Sequence, residues 1–116
     1  VEVTTENEGG VAVVVLGGSV DAAHAEQLHR VFGGLLAEGV HDFVIDLTDV
    51  KVVDGAGLAE LVGLFKRVRI GPGDVRLCGS PPWVKVMFVM TRLNRVFAAF
   101  DNRAAAVSSF RPTGDG

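Results

Sequence analysis

Two hydrophobic periods alternate along the chain. Val11–Leu16 is a continuous apolar run rich in β-branched residues, and Phe43, Val44, Ile45 and Leu47 form a second. Such runs predict strands covered on both faces. Val1, Val3 and Thr5 occupy alternate positions and predict an edge strand, while Val75 and Leu77 share one face of a strand over Asp74–Cys78. Between these strands the period lengthens. Leu28, Val31, Phe32, Leu35 and Leu36 share one face of a helix over Ala22–Glu38. Leu58, Leu61, Val62, Phe65 and Val68 do so in a helix running from Gly55 to about Ile70. Trp83–Leu93 is apolar nearly all round and predicts a third helix. A last strand over Arg95–Phe100 and a small helix over Asn102–Phe110 complete the order ββαβαβαβα. That alternation implies an α/β fold: a mixed, mostly parallel sheet with helices packed on it.

Helix punctuation agrees with these periods. Asp21, Asp54, Ser80 and Asp101 stand where N-caps are expected, and Pro81 suits the first position of the third helix. Gly39 suits a C-terminal cap, and Gly71-Pro72-Gly73 ends the second helix. Gly33-Gly34 weaken the first helix. Val50, Val52 and Val53 extend the apolar character into what reads as a loop before Asp54.

The second helix opens on Asp54-Gly55-Ala56-Gly57. Glycine inside a helix is worse than alanine by about 1 kcal/mol. Two in one turn make sense where something must approach the backbone closely. A helix start offers unpaired N–H groups and a partial positive charge. The approaching body is either another molecule or the chain's own neighbouring loop, and the motif alone leaves both open.

Composition narrows the chemistry. A chain of 116 residues suits one domain, here expected over residues 1–110, with 111–116 a polar, loose tail. The net charge of −3 gives no support for a nucleic-acid partner. The single cysteine, Cys78, excludes an internal disulfide or a cysteine zinc site, and its apolar strand predicts a buried, inert thiol. No apolar run reaches the roughly 20 residues of a membrane span, so no membrane insertion is expected. The first ten residues lack a secretion-signal pattern, which favours the cytoplasm, and the initial valine suggests processing upstream.

Catalytic constellations are not legible. His24, His29 and His41 lack a ligand spacing and read as surface residues. There is no G-x-S-x-G elbow and no GxxxxGK[ST] loop. Asp46, Asp49 and Asp54 read as capping and solvating the loop rather than binding a cation. The expectation is a binding protein without enzyme activity, cofactor or metal. One candidate surface is the stretch Thr48–Leu58. A second is an exposed patch of Trp83, Val86 and Val89 for a partner or a weak homodimer, unless the helix is fully covered.

Asp46-Leu47-Thr48-Asp49-Val50 and Asp54-Gly55-Ala56-Gly57-Leu58 resemble the core of the STAS domain, as found in bacterial anti-sigma factor antagonists. There an apolar strand leads through D-L-S/T-x-V to D-S/T-S/A-G-L at a helix start. The segment Gly17–Asp21 resembles the family's G-x-L/V-D element. Pro82, Val84, Leu93–Phe97 and Asp101 resemble its ending, with Arg92 where glycine is usual. The resemblance implies the STAS fold over essentially the whole chain. It implies a partner too: an anti-sigma factor, a serine kinase with a histidine-kinase-like ATP domain. The implied partner-binding residues are Ser19, Asp21, Thr48, Asp49, Asp54, Gly55, Ala56, Gly57 and Leu58. In the family the residue after the aspartate is the serine or threonine that this kinase phosphorylates. Gly55 and Ala56 carry no hydroxyl, so no phosphorylation is expected at the motif. Ser19, Thr48 and Ser80 are the hydroxyls a displaced site would use. Related roles are a scaffold subunit of a lipid-transport or transporter assembly, and a module sensing a small ligand at the helix start.

Overall fold

The computed structural model describes residues 1–110; the expected tail, 111–116, lies outside them. Val11–Val20 (β2) and Asp42–Val53 (β3) form the centre of a five-stranded sheet. Glu2–Glu8 (β1) lies antiparallel to β2 at one edge. Asp74–Cys78 (β4) and Ala98–Phe100 (β5) extend the sheet on the other side, and every pair from β2 onward is parallel. Ala25–Ala37 (α1), Gly55–Arg69 (α2), Pro82–Met90 (α3) and Arg103–Ser108 (α4) supply the helices. The element order is the expected ββαβαβαβα, with a 3₁₀ turn over Leu93–Arg95 before β5.

Both faces of the central strands are covered, which explains their unbroken apolar runs. On one face Leu16, Phe43, Ile45 and Leu77 pack beneath α1, α2 and α3 through Leu28, Phe32, Leu61, Leu64, Val84 and Phe88. On the other, Val11, Val13, Val44 and Cys78 meet Ala106 and Val107 of α4. The short α4 is held from its sides. Arg76 donates to the Ser109 carbonyl at 2.6 Å and lies over the Phe110 ring, and Arg103 reaches Glu6 and Glu8 of β1. Cys78 is buried as expected, and burial first, then the Asp46 charge, pushes its thiol up to about 11.

Several boundaries differ from the sequence expectation. Val50, Val52 and Val53 are strand, not loop: they pair with Gly18, Ser19 and Val20. Two register shifts interrupt this pairing, so β3 uses two more residues than β2 between the Val15–Asp46 and Val20–Val53 pairs. Each bulge breaks the inside–outside alternation, which is why the stretch reads as irregular. Asp21 does not cap α1. The helix starts three residues later than expected behind His24, and the Asp21 carboxylate meets the His24 ring Nδ1 at 2.6 Å. Pro81, not Ser80, precedes α3, leaving Pro82 as its first residue. That helix stops at Met90 instead of Leu93, because Arg92 takes up a left-handed conformation. The last strand is correspondingly shorter than Arg95–Phe100. Asn102, not Asp101, caps α4, its side chain accepting from the Ala105 N–H at 2.9 Å.

The buried row of α2 is Gly57, Leu61, Leu64 and Val68. Leu58, Val62 and Phe65, expected at the centre of the face, lie at its margin and are only partly buried. The row is a regular helical stripe that begins with a glycine. A Cβ at Gly57 would overlap the carbonyl of Val20, so the first turn of α2 sits directly on the end of β2. Gly63, on another side of the helix, has open space where its Cβ would be.

These two positions separate packing from propensity. Gly57→Ala should destabilise by about 1–3 kcal/mol, because α2 must lift off β2. Gly63→Ala should stabilise by about 0.5–1 kcal/mol through helix propensity. Equilibrium urea unfolding of both variants measures the two signs.

Candidate functional site

The parallel strands β2 and β3 end together at the Val20–Val53 pair, and the chain leaves both at one rim of the sheet. Asp54 ties the two exits to each other. Its N–H donates to the Val20 carbonyl at 3.1 Å. One carboxylate oxygen accepts from the Gly57 N–H and the other from the Ala22 N–H, each at 3.0 Å. A single side chain therefore caps α2 and holds the segment that follows β2. The Gly57 and Ala22 N–H groups favour the ionised form and hold the Asp54 carboxyl below its ordinary 3.8.

The two glycines of the motif have different roles. Gly57 is buried and serves the chain's own packing. Gly55 is exposed, and a Cβ there would meet nothing within 4 Å. Bareness at Gly57 is thus an internal requirement, whereas position 55 stands open to solvent. From Gly55 a shallow, mostly apolar groove of about 360 Å³ runs along α2, lined by Leu58, Ala59, Val62, Gly63, Lys66 and Leu93.

Of the residues singled out from the sequence, Ser19, Asp21 and Asp54–Leu58 belong to this rim. Ser19 pairs with Val52 in the last turn of the ladder, and Asp21 holds His24 beside Ala22. Thr48 and Asp49 do not lie in a loop beside them. Both sit within β3, about 15–20 Å of strand before Asp54. Thr48 Oγ1 donates to Asp46 at 2.6 Å, and Asp49 shares a groove with Glu2, Thr4, Val15 and Gly17. This is the face of the sheet that carries α4.

Val52, Val62, Lys66 and Leu93 are surface features of this region that sequence reasoning missed. Val52 is 46% exposed despite its place in an apolar run. Its signal was the bulge, which is invisible without the partner strand. Trp83, Val86 and Val89 are all exposed on α3.

The acidic residues do not converge. Asp46 is engaged by Thr48 and lies 4.0 Å from Arg103, and Asp54 is engaged by Ala22 and Gly57. Among the described residues no three His, Cys, Asp or Glu side chains gather around a common point. The histidines are dispersed: His24 on Asp21, His29 on Glu60 and His41 beside Asp42. No described helix is long and apolar enough to cross a membrane.

The model of the STAS domain matches residues 2–106. BtrV of Bordetella bronchiseptica, provisionally described as an anti-sigma factor antagonist, is 27% identical over 110 residues, 95% of each chain. A protein of Thermotoga maritima, tm1081, carries the same provisional description. Its crystal structure superposes with a TM-score of 0.90 at 20% identity, over 95% of each chain. An anti-sigma factor antagonist from Mycobacterium paratuberculosis superposes with a TM-score of 0.86 at 23% identity, over 96% of this chain and 94% of that one. These two likenesses show the fold.

Asp54→Ala should lower the melting temperature near neutral pH, since it frees two N–H donors from their acceptor. The folded-state pKa lies below the unfolded one, so the carboxylate's contribution is complete above 3.8 and is lost as pH falls through the lower folded value. The gap between the two melting curves should therefore close on acidification. Thermal scans from about pH 7 to about pH 2 test this, and a gap that widened in acid would contradict it.

Proposed function

The chain belongs to the STAS domain family, and from that premise we propose that it is an anti-sigma factor antagonist. In this reading it acts in the cytoplasm by binding and not by catalysis. Its relatives supply the first support, since several carry that description. The observation that carries the reading is the open backbone at Gly55. It stands at a rim fixed by Asp54 and continues into an apolar groove along α2.

The partner is an anti-sigma factor, a serine kinase with a histidine-kinase-like ATP domain, and it covers Ser19, Asp21, Asp54–Ala56 and Leu58, while Gly57 is buried against Val20. Thr48 and Asp49 face the α4 side and stand outside this contact. The groove receives apolar side chains of the partner against Leu58, Val62 and Leu93. A phosphoryl group at position 55 would add about −1.5 to −2 charge beside the ionised Asp54. That charge would have to be desolvated under the partner, so release would follow. Gly55 removes the acceptor and keeps the surface in its binding form. Control then falls to synthesis, degradation or a competing partner.

Two variants test the switch. With the anti-sigma kinase and ATP, the protein should acquire no phosphate at residues 54–57. Gly55→Ser, whose side chain enters open space, should fold normally and accept one phosphate there. Gly55→Asp should weaken anti-sigma binding by at least about tenfold, as a like charge placed against a desolvated interface does. Mass spectrometry and calorimetry read these outcomes. A phosphopeptide from the unmodified motif, or full affinity in the aspartate variant, would refute the reading. Co-purification with a transporter ATPase in place of a kinase would replace it with a scaffold role.

A further inference from the structure

The outer side of α3 is apolar where a surface helix is normally polar. Val84 and Phe88 point into the core, while Trp83 is 41%, Val86 57%, Val89 60% and Met90 79% exposed. These four lie on adjoining helical positions and make one continuous stripe.

The charges on α3 and on the segment that follows it have one sign. No Asp or Glu occurs between Asp74 and Asp101, in a chain whose net charge is −3. Arg76 is tied to Asp74 and Ser109. Lys85, Arg92 and Arg95 are exposed, and among the described residues none of them has an ion-pair partner.

Arg92 adds an independent sign. Its φ of 62° makes it the one non-glycine residue in the left-handed region among those described. It stands just past the Thr91 cap that ends α3, where glycine is the residue without strain. The fold thus carries a guanidinium at the end of the stripe against the local backbone preference.

Position and charge select the occupant. The neighbouring grooves are lined by Leu93 and by Asn94–Ala98, with α2 residues and with Asp74, whose carboxylate is paired with Arg69 and Arg76; Trp83, Val86, Val89 and Met90 line neither. The stripe lies outside both grooves, on the solvent side of α3. A second copy docking stripe to stripe would bring like charges together. A soft anionic surface accepts both the stripe and its cations. We infer that α3 docks the protein peripherally on an anionic phospholipid bilayer. Trp83, Val86, Val89 and Met90 enter the headgroup boundary, and Lys85, Arg92 and Arg95 meet lipid phosphates. This inference stands on α3 and its flank and does not depend on the rim at Gly55.

Trp83 is the only tryptophan, so its emission reports this contact directly. The full chain is mixed with phosphatidylcholine vesicles containing about 30% phosphatidylglycerol, or with pure phosphatidylcholine vesicles. The anionic vesicles should shift Trp83 emission to the blue and sediment the protein, and salt should reverse both effects. Pure phosphatidylcholine should do neither. Val86→Asp should abolish the shift. Arg92→Gly should lower the partition coefficient about fivefold while raising the melting temperature, which separates lost binding from lost folding. The inference is overturned if anionic vesicles leave Trp83 unchanged, as they would if a protein partner covers α3. Equal binding to neutral vesicles overturns it too, as does a blue shift that grows with protein concentration without lipid, the signature of a second copy.

Discussion

The contact between the first turn of α2 and the end of β2 fixes the rest of the molecule's working edge. It has two halves. Gly57 lets the helix rest on the Val20 carbonyl without an intervening side chain. Asp54 then locks that approach with three hydrogen bonds, one from its N–H to Val20 and two to its carboxylate from Gly57 and Ala22. Neither half works alone. A Cβ at position 57 would push the helix away and pull Asp54 from Ala22. Loss of the carboxylate would free the helix start and the β2 exit to move separately.

This contact also explains how one glycine of the motif is left facing solvent. A helix seated this deeply turns Gly57 inward and Gly55 outward, two residues apart on one turn. Position 55 then projects from a rigid platform built on the two central strands, which are covered on both faces. Rigid presentation limits the entropy lost on binding. A side chain at position 55, or its absence, acts on a partner without touching the fold. In the reading proposed here, that is why a hydroxyl-bearing side chain at position 55 can give way to a bare hydrogen with the platform intact.

Much of the fold was legible because its signals are hydrophobic. The β-branched runs at Val11–Leu16 and Phe43–Leu47 marked buried strands, and the spacing from Leu58 marked a helix. Asp54 showed as a cap because its carboxylate is where the next turn needs an acceptor. What escaped was relational. Gly57 heads the buried row of α2 but has no side chain to count, so the face expected from the sequence holds Leu61 and Val68 but adds Leu58, Val62 and Phe65 and omits Leu64. The bulges of β3 depend on β2, and without them Thr48–Val53 looked like loop. Asp21 looked like a cap until its neighbour Ala22 was seen to bond Asp54 and its carboxylate to meet His24. The choices between Ser80 and Pro81, and between Asp101 and Asn102, are one-residue shifts that depend on the backbone path of the preceding strand. Of the residues the sequence singles out, Ser19, Asp21 and Asp54–Leu58 share one rim, whereas Thr48 and Asp49 are near them only in sequence.

The central claim is that one rim, held by Asp54 and open at Gly55, meets the partner. Amide chemical-shift mapping with the anti-sigma factor tests it most directly. The account predicts perturbations concentrated on Val20–Ala22 and Asp54–Val62, with Thr48, Asp49 and the α4 residues unmoved. Perturbations confined to α4 and its face of the sheet, with Gly55 silent, would contradict it.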